Sequence, residues 1–131
     1  MTSIARGLFE VRLHPLEPYS TGDSKLGRMA LDKQFHGDLE GMSKGEMLSA
    51  RTDVKESAGY VAIERITGTL AGKRGSFVLQ HSATMSRGQP SMSIAVVPDS
   101  GTGALAGLTG TMTIEAHEGR HSYELSYELP D

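Results

Sequence analysis

The chain has 131 residues, and its 13 Lys and Arg against 16 Asp and Glu leave a formal charge of −3 at neutral pH. That length fits one domain, since single cores usually hold roughly 100–200 residues, and the acidic balance argues against a nucleic-acid module with a clustered basic face. Cysteine is absent, which excludes disulfides, thiol catalysis and thiolate metal sites together.

Sixteen Gly and five Pro punctuate the chain, and between them residues alternate instead of recurring at helical spacing. In chain order, Phe9, Val11 and Leu13 give the weakest alternation. The segment Glu17-Pro18-Tyr19-Ser20-Thr21-Gly22-Asp23 reads as a loop. Met29, Leu31 and Phe35 then alternate with polar residues and carry Lys33 in phase. Leu48, Ala50, Thr52 and Val54 suggest a strand with Glu46 on its inner face. Tyr60, Ala62, Ile66 and Leu70 carry Glu64, although Val61 and Ile63 make the opposite face partly apolar too.

Phe77, Leu79, Ala83 and Met85 carry His81. Met92, Ile94 and Val96 follow, then Met112 and Ile114, with one helical turn expected around Ala104-Leu105-Ala106 between them. The clearest pattern is His121 to Leu129, apolar or aromatic at every odd position. Ser86 to Pro90 and His117 to Arg120 read as hairpin turns. About eight strands with short connections predict an all-β fold, an eight-stranded antiparallel barrel or a sandwich. With no linker or second composition, residues 1–131 read as a single β-barrel domain.

Two segments, Leu70-Ala71-Gly72-Lys73-Arg74-Gly75-Ser76 and Leu105-Ala106-Gly107-Leu108-Thr109-Gly110-Thr111, share the pattern L-A-G-x-x-G-[S/T]. Glycine permits a positive φ or a close backbone approach, so both copies are expected to make a tight turn leading into a strand. His117-Glu118-Gly119-Arg120-His121 matches the H-E-x-x-H of zinc proteases, but that chemistry needs a helix, and strand patterns flank this copy. Gly101-Thr102-Gly103 and Gly68-Thr69-Leu70-Ala71-Gly72-Lys73-Arg74 lack the strand–helix setting and the residues of phosphate loops. The five His residues have no paired ligand spacing, so no metal or cofactor is expected.

Chemistry therefore rests on ionisable residues in phase with inward faces. An isolated buried charge is costly, so such groups pair, shift their pKa or serve a ligand. Glu64 and His81 form the candidate acid/base pair, with the carboxyl expected to be pushed up by an apolar interior. Lys33, Tyr123 and Tyr127 are candidate donors to a substrate oxygen. His36 becomes the rival base if its strand presents the opposite face. An eight-stranded barrel has room for packed side chains or one small ligand. The competing reading is a structural ion pair in an ordinary core.

Several stretches resemble an uncharacterised bacterial family of small barrels with an allene oxide cyclase-like fold. They are Leu31-Asp32-Lys33-Gln34-Phe35-His36-Gly37-Asp38-Leu39, Lys44 to Ala50, Gly59 to Glu64, Gly75 to His81, and Gly101-Thr102-Gly103 running to Gly110-Thr111-Met112. The last also resembles its counterpart in plant dirigent proteins. The resemblance implies an eight-stranded antiparallel barrel that binds a small hydrophobic molecule, steers isomerisation or cyclisation, and forms homo-oligomers. A non-catalytic ligand carrier and a purely oligomeric structural role are the alternatives. No glycosylation sequon, apolar leader or membrane-length apolar run is present, which fits a cytoplasmic protein with neither membrane nor nucleic-acid partners.

Overall fold

A computed structural model describes residues 2–19 and 22–130. Eight strands follow one another as β1 (Ser3–Leu16), β2 (Leu26–Gly37), β3 (Leu39–Arg51), β4 (Ala58–Leu70), β5 (Lys73–Ser86), β6 (Gln89–Val96), β7 (Thr109–His117) and β8 (Arg120–Glu128). Each pairs antiparallel with the next, and β8 returns to β1, from Ser3 opposite Tyr127 to Phe9 opposite His121, closing the barrel. Of the expected loop 17–23, Ser20 and Thr21 lie outside the described residues.

Three two-residue hairpin turns have both central residues at positive φ: Ala71-Gly72, Arg87-Gly88 and Glu118-Gly119. This is the turn whose twist matches that of the flanking strands. The first belongs to one copy of the L-A-G-x-x-G pattern. In the other copy Ala106 (φ −57°, ψ 133°) precedes Gly107 (φ 82°), and Leu108 N–H donates to the Leu105 carbonyl, the geometry of a type II turn. The later glycines serve close approach, since a Cβ on Gly75 would lie 2.0 Å from the Thr102 carbonyl oxygen.

The two ends of the barrel differ. At the lower end, where β2 turns into β3 and β4 into β5, the lumen is filled by Phe9, Phe35, Ile66, Phe77, Leu79 and Leu125. Segment 97–108 lies across that end. Val97 N–H donates to the Val78 carbonyl and Thr102 N–H to that of Ser76, while buried Leu105 and Leu108 plug the opening. The expected helical turn is a 3-10 turn, Gly103–Leu105, within this plug.

At the upper end the β7–β8 hairpin stops short. β6 meets β7 at a single bridge, Ala95 opposite Thr111, and β8 accompanies β1 no further than Phe9. The upper lumen is therefore left open, and the inward-facing Leu13, Met85 and Met92 stay over two-fifths exposed.

Every strand but β3 presents the inner face that its alternation predicts. β3 spans Leu39–Arg51, earlier than the expected strand around Leu48–Val54, and it buries Leu39 and Ser43 while leaving Leu48 more than half exposed. Glu46 consequently points outward, where its carboxylate pairs with Arg28 at 2.7 Å. The cause is register. The turn at Gly37-Asp38 sets Phe35 opposite Gly41 and Lys33 opposite Ser43, so odd residues face inward on both strands. Leu48, Val61 and Ile63 form an apolar stripe on the outside of β3 and β4 instead.

Candidate functional site

Antiparallel register brings four polar side chains together above the apolar floor. Lys33 faces Ser43 across β2 and β3, Gly45 faces Glu64 across β3 and β4, and Ala62 faces His81 across β4 and β5. The two small residues make the cluster possible. With no side chain on Gly45, the Glu64 carboxylate reaches past β3 to β2. A Cβ on Gly45 would stand 2.0 Å from the Ile63 carbonyl oxygen and 2.6 Å from Glu64 Cα.

Glu64 has no exposed surface and His81 only 3 %. Ser43 Oγ donates to Glu64 Oε1 at 2.6 Å, and Lys33 Nζ donates to Oε2 at 2.8 Å. His81 Nε2 meets the same Oε2 at 2.5 Å. The Lys33 ammonium also lies 5.1 Å from the centre of the Phe9 ring and 5.9 Å from that of Phe35, so aromatic faces partly replace its lost hydration.

These contacts overturn the charge state expected from sequence. Burial does push the Glu64 carboxyl up, as an apolar interior should. The His81 hydrogen bond, the Lys33 charge and the Lys33 and Ser43 hydrogen bonds outweigh it and hold the pKa down to about 2. Glu64 is thus a fully satisfied anion, not a proton donor poised near neutrality.

A pH consequence follows. The folded-state pKa lies below the ordinary 4.5, so the stability from this network is present above that value and drains away as pH falls toward 2. Urea unfolding midpoints measured from pH 7 down to pH 2.5 should show the wild type losing its advantage over Glu64→Gln within that window. A constant gap would contradict the assignment.

The imidazole is oriented by the same anion. A neutral His81 that donates from Nε2 to Glu64 carries its free lone pair on Nδ1. Nδ1 has no hydrogen-bond partner, yet no buried side-chain nitrogen or oxygen is left unpaired among the described residues. Nδ1 therefore retains a little accessible surface on a residue that is otherwise only 3 % exposed.

Directly above this layer Tyr60 faces Ala83 across β4 and β5. Both line a cavity of about 450 Å³ in the open upper end, with Met47, Met85 and Met92 as further walls. Its lining is overwhelmingly apolar, and its size lies in the range of small-ligand sites, roughly 300–1,000 Å³. A larger groove of about 660 Å³ runs outside β1–β3 but is lined by charges such as Glu10, Arg12 and Lys44, with His14 and Asp32 paired at 3.2 Å.

The remaining sequence candidates fall elsewhere. His36 stands on the outer surface, 3.1 Å from Glu10 and 3.8 Å from Glu40, because its neighbour Phe35 takes the inner face. Tyr123 is inward, but its hydroxyl donates to the His36 carbonyl at 2.9 Å and accepts from Leu39 N–H at 2.9 Å, so it clamps the β2–β3 turn. Tyr127 packs in the lower core. The H-E-x-x-H segment is the β7–β8 hairpin, with His117 exposed and His121 stacked 5.2 Å from Phe9. Ser43 and Tyr60 are the site residues that sequence reasoning missed. The Gly37-Asp38 turn held the signal for Ser43, since it sets which β3 residues share a face with Lys33.

The crystal structure of a protein of unknown function from the DUF3224 family of Shewanella oneidensis MR-1 superimposes with a TM-score of 0.95. It is 52% identical, with 100% of this chain and 99% of that chain covered. No curated protein matches the chain. Among the described residues, no helix is long and apolar enough to cross a membrane. The DUF3224 family model, described as a protein of unknown function, matches residues 5–127, and the chain belongs to that family.

Proposed function

We propose that this barrel binds a small apolar molecule in its open upper end and isomerises it by proton transfer, with His81 as the base. The observation that carries this is the stacking of two layers: an apolar cavity of about 450 Å³ directly above an imidazole oriented by a buried anion. Nδ1 takes a proton from a ligand C–H, and the electron pair of that bond moves into an adjacent π system. The imidazolium then returns the proton at another carbon, so a double bond shifts with no oxidant or reductant. Glu64 acts as a positioning residue that holds the tautomer and stabilises the transient imidazolium. The apolar walls hold the ligand in one conformation. The full satisfaction of Glu64 favours a second reading, in which the same cavity carries a ligand without changing it.

Binding of the neutral dye N-phenyl-1-naphthylamine tests the cavity, with Ala83→Trp expected to fill it and abolish the dye's fluorescence gain. Dye binding unaffected by Ala83→Trp would remove the cavity from consideration. Native mass spectrometry of protein from its own host should reveal a retained ligand, which is then incubated with the protein in D2O. Wild type should incorporate deuterium about 10²–10⁴ times faster than His81→Gln, the usual contribution of a positioned base. Equal incorporation by both would leave carriage as the function.

A further inference from the structure

The cavity wall carries polar residues outside the Glu64 network, among them Ser49, Arg51, Glu56 and Tyr60. Tyr60 lines it from the inner face of β4, in the layer directly above His81. Its hydroxyl has no hydrogen-bond partner among the described residues, whereas Tyr123 in the lower core makes three. A half-buried phenol without a protein partner, beside the apolar side chains of Met47, Ala83, Met85 and Met92, is free to donate to a ligand atom. Burial and, behind it, the negative charge of Glu64 both push the Tyr60 pKa up. The phenol therefore stays protonated at neutral pH and can donate.

A neutral imidazole is too weak a base for the C–H of a plain hydrocarbon. It is adequate for a C–H whose electron pair is drawn into a neighbouring carbonyl, and more so when that oxygen is hydrogen-bonded as negative charge builds on it. Donor and base on adjacent layers of one lumen match this demand.

We infer that the ligand of the upper cavity is an enolisable apolar ketone or its conjugated enone, and that Tyr60 donates a hydrogen bond to its carbonyl oxygen while His81 Nδ1 faces the neighbouring C–H. The inference rests on the proposed binding function of the same cavity and adds the substrate class and the oxygen-binding residue. In the step it implies, the α C–H bond breaks and its proton passes to Nδ1. The carbon–carbon bond gains double character, and the carbonyl oxygen becomes an enolate oxygen held by the Tyr60 O–H. In a ketone with a β,γ double bond the anion is a dienolate, so return of the proton to the γ carbon restores the carbonyl and moves the double bond into conjugation with it.

The test uses 4-phenylbutan-2-one and butylbenzene, which share a shape and differ in the carbonyl, each displacing N-phenyl-1-naphthylamine from the intact protein. Tyr60→Phe should weaken the ketone about five- to tenfold, as loss of one hydrogen bond predicts, and leave butylbenzene within twofold. In the complex with 13C-carbonyl-labelled ketone, the carbonyl stretch should lie at lower wavenumber in wild type than in Tyr60→Phe. A purely packing role for the ring would not move that signature. Equal weakening of both ligands, or an unchanged stretch, would overturn the role of Tyr60 while leaving the cavity intact. Failure of wild type to bind either ligand would instead bring down the cavity reading and this inference with it.

Discussion

Glu64→Gln is expected to destabilise the barrel by about 3–5 kcal/mol, because breaking a buried ion pair by removing one partner strands the other charge. Among the described residues Lys33 Nζ has Glu64 as its one hydrogen-bond partner, and its side chain is only 8% exposed. Without the anion, the ammonium is left against the Phe9 and Phe35 rings, and those faces are a partial substitute at best. The double variant Lys33→Met with Glu64→Gln should recover much of the loss, since a neutral pair of similar volume carries no stranded charge. Urea unfolding of wild type, both single variants and the double variant yields the coupling energy directly. Additive losses, or a single-variant loss under about 1 kcal/mol, would show that the two groups do not depend on each other.

Gly45→Val should cost at least about 1–3 kcal/mol, the usual penalty of overpacking, and should also dismantle the site. The added carbons would run into the Ile63 carbonyl and the Glu64 main chain. β4 must then shift or Glu64 must leave its place beside Lys33. Restricting the unfolded chain at a former glycine stabilises by less than this. The accompanying sign would be loss of the acid-sensitive part of stability, because a displaced Glu64 no longer titrates near 2. A Gly45→Val protein with wild-type midpoint and wild-type acid profile would refute the account of how this carboxylate reaches across the strand.

Most of the architecture was legible along the chain, and the reasons are local. From His121 to Leu129 the alternation is unbroken, and buried Tyr123, Leu125 and Tyr127 follow it inward. The turns at 71–72, 87–88 and 118–119 fall where glycine allows the left-handed backbone. Glu64, His81 and Lys33 were recognisable because each stands in phase with apolar neighbours that a barrel must bury. β3 was misread because Leu48 and Val54 look like a core set, whereas Leu48 belongs to the outer stripe and Val54 lies in the turn after the strand. An apolar residue on an outer face carries no local mark that separates it from one inside.

Two-residue periodicity and glycine placement are short-range properties, so the chain read alone dictates eight antiparallel strands and which face most of them bury. The charge on Glu64 is of another kind. The direction of its pKa shift depends on donors from β2, β3 and β5, lying 31, 21 and 17 residues away, meeting one carboxyl at bonding distance. Only the pairing register of β2 through β5 brings them there, and their summed attraction reverses what burial would do to that group. The short β7–β8 hairpin likewise leaves one end of the lumen open, because strand pairing rather than composition sets how far each wall extends.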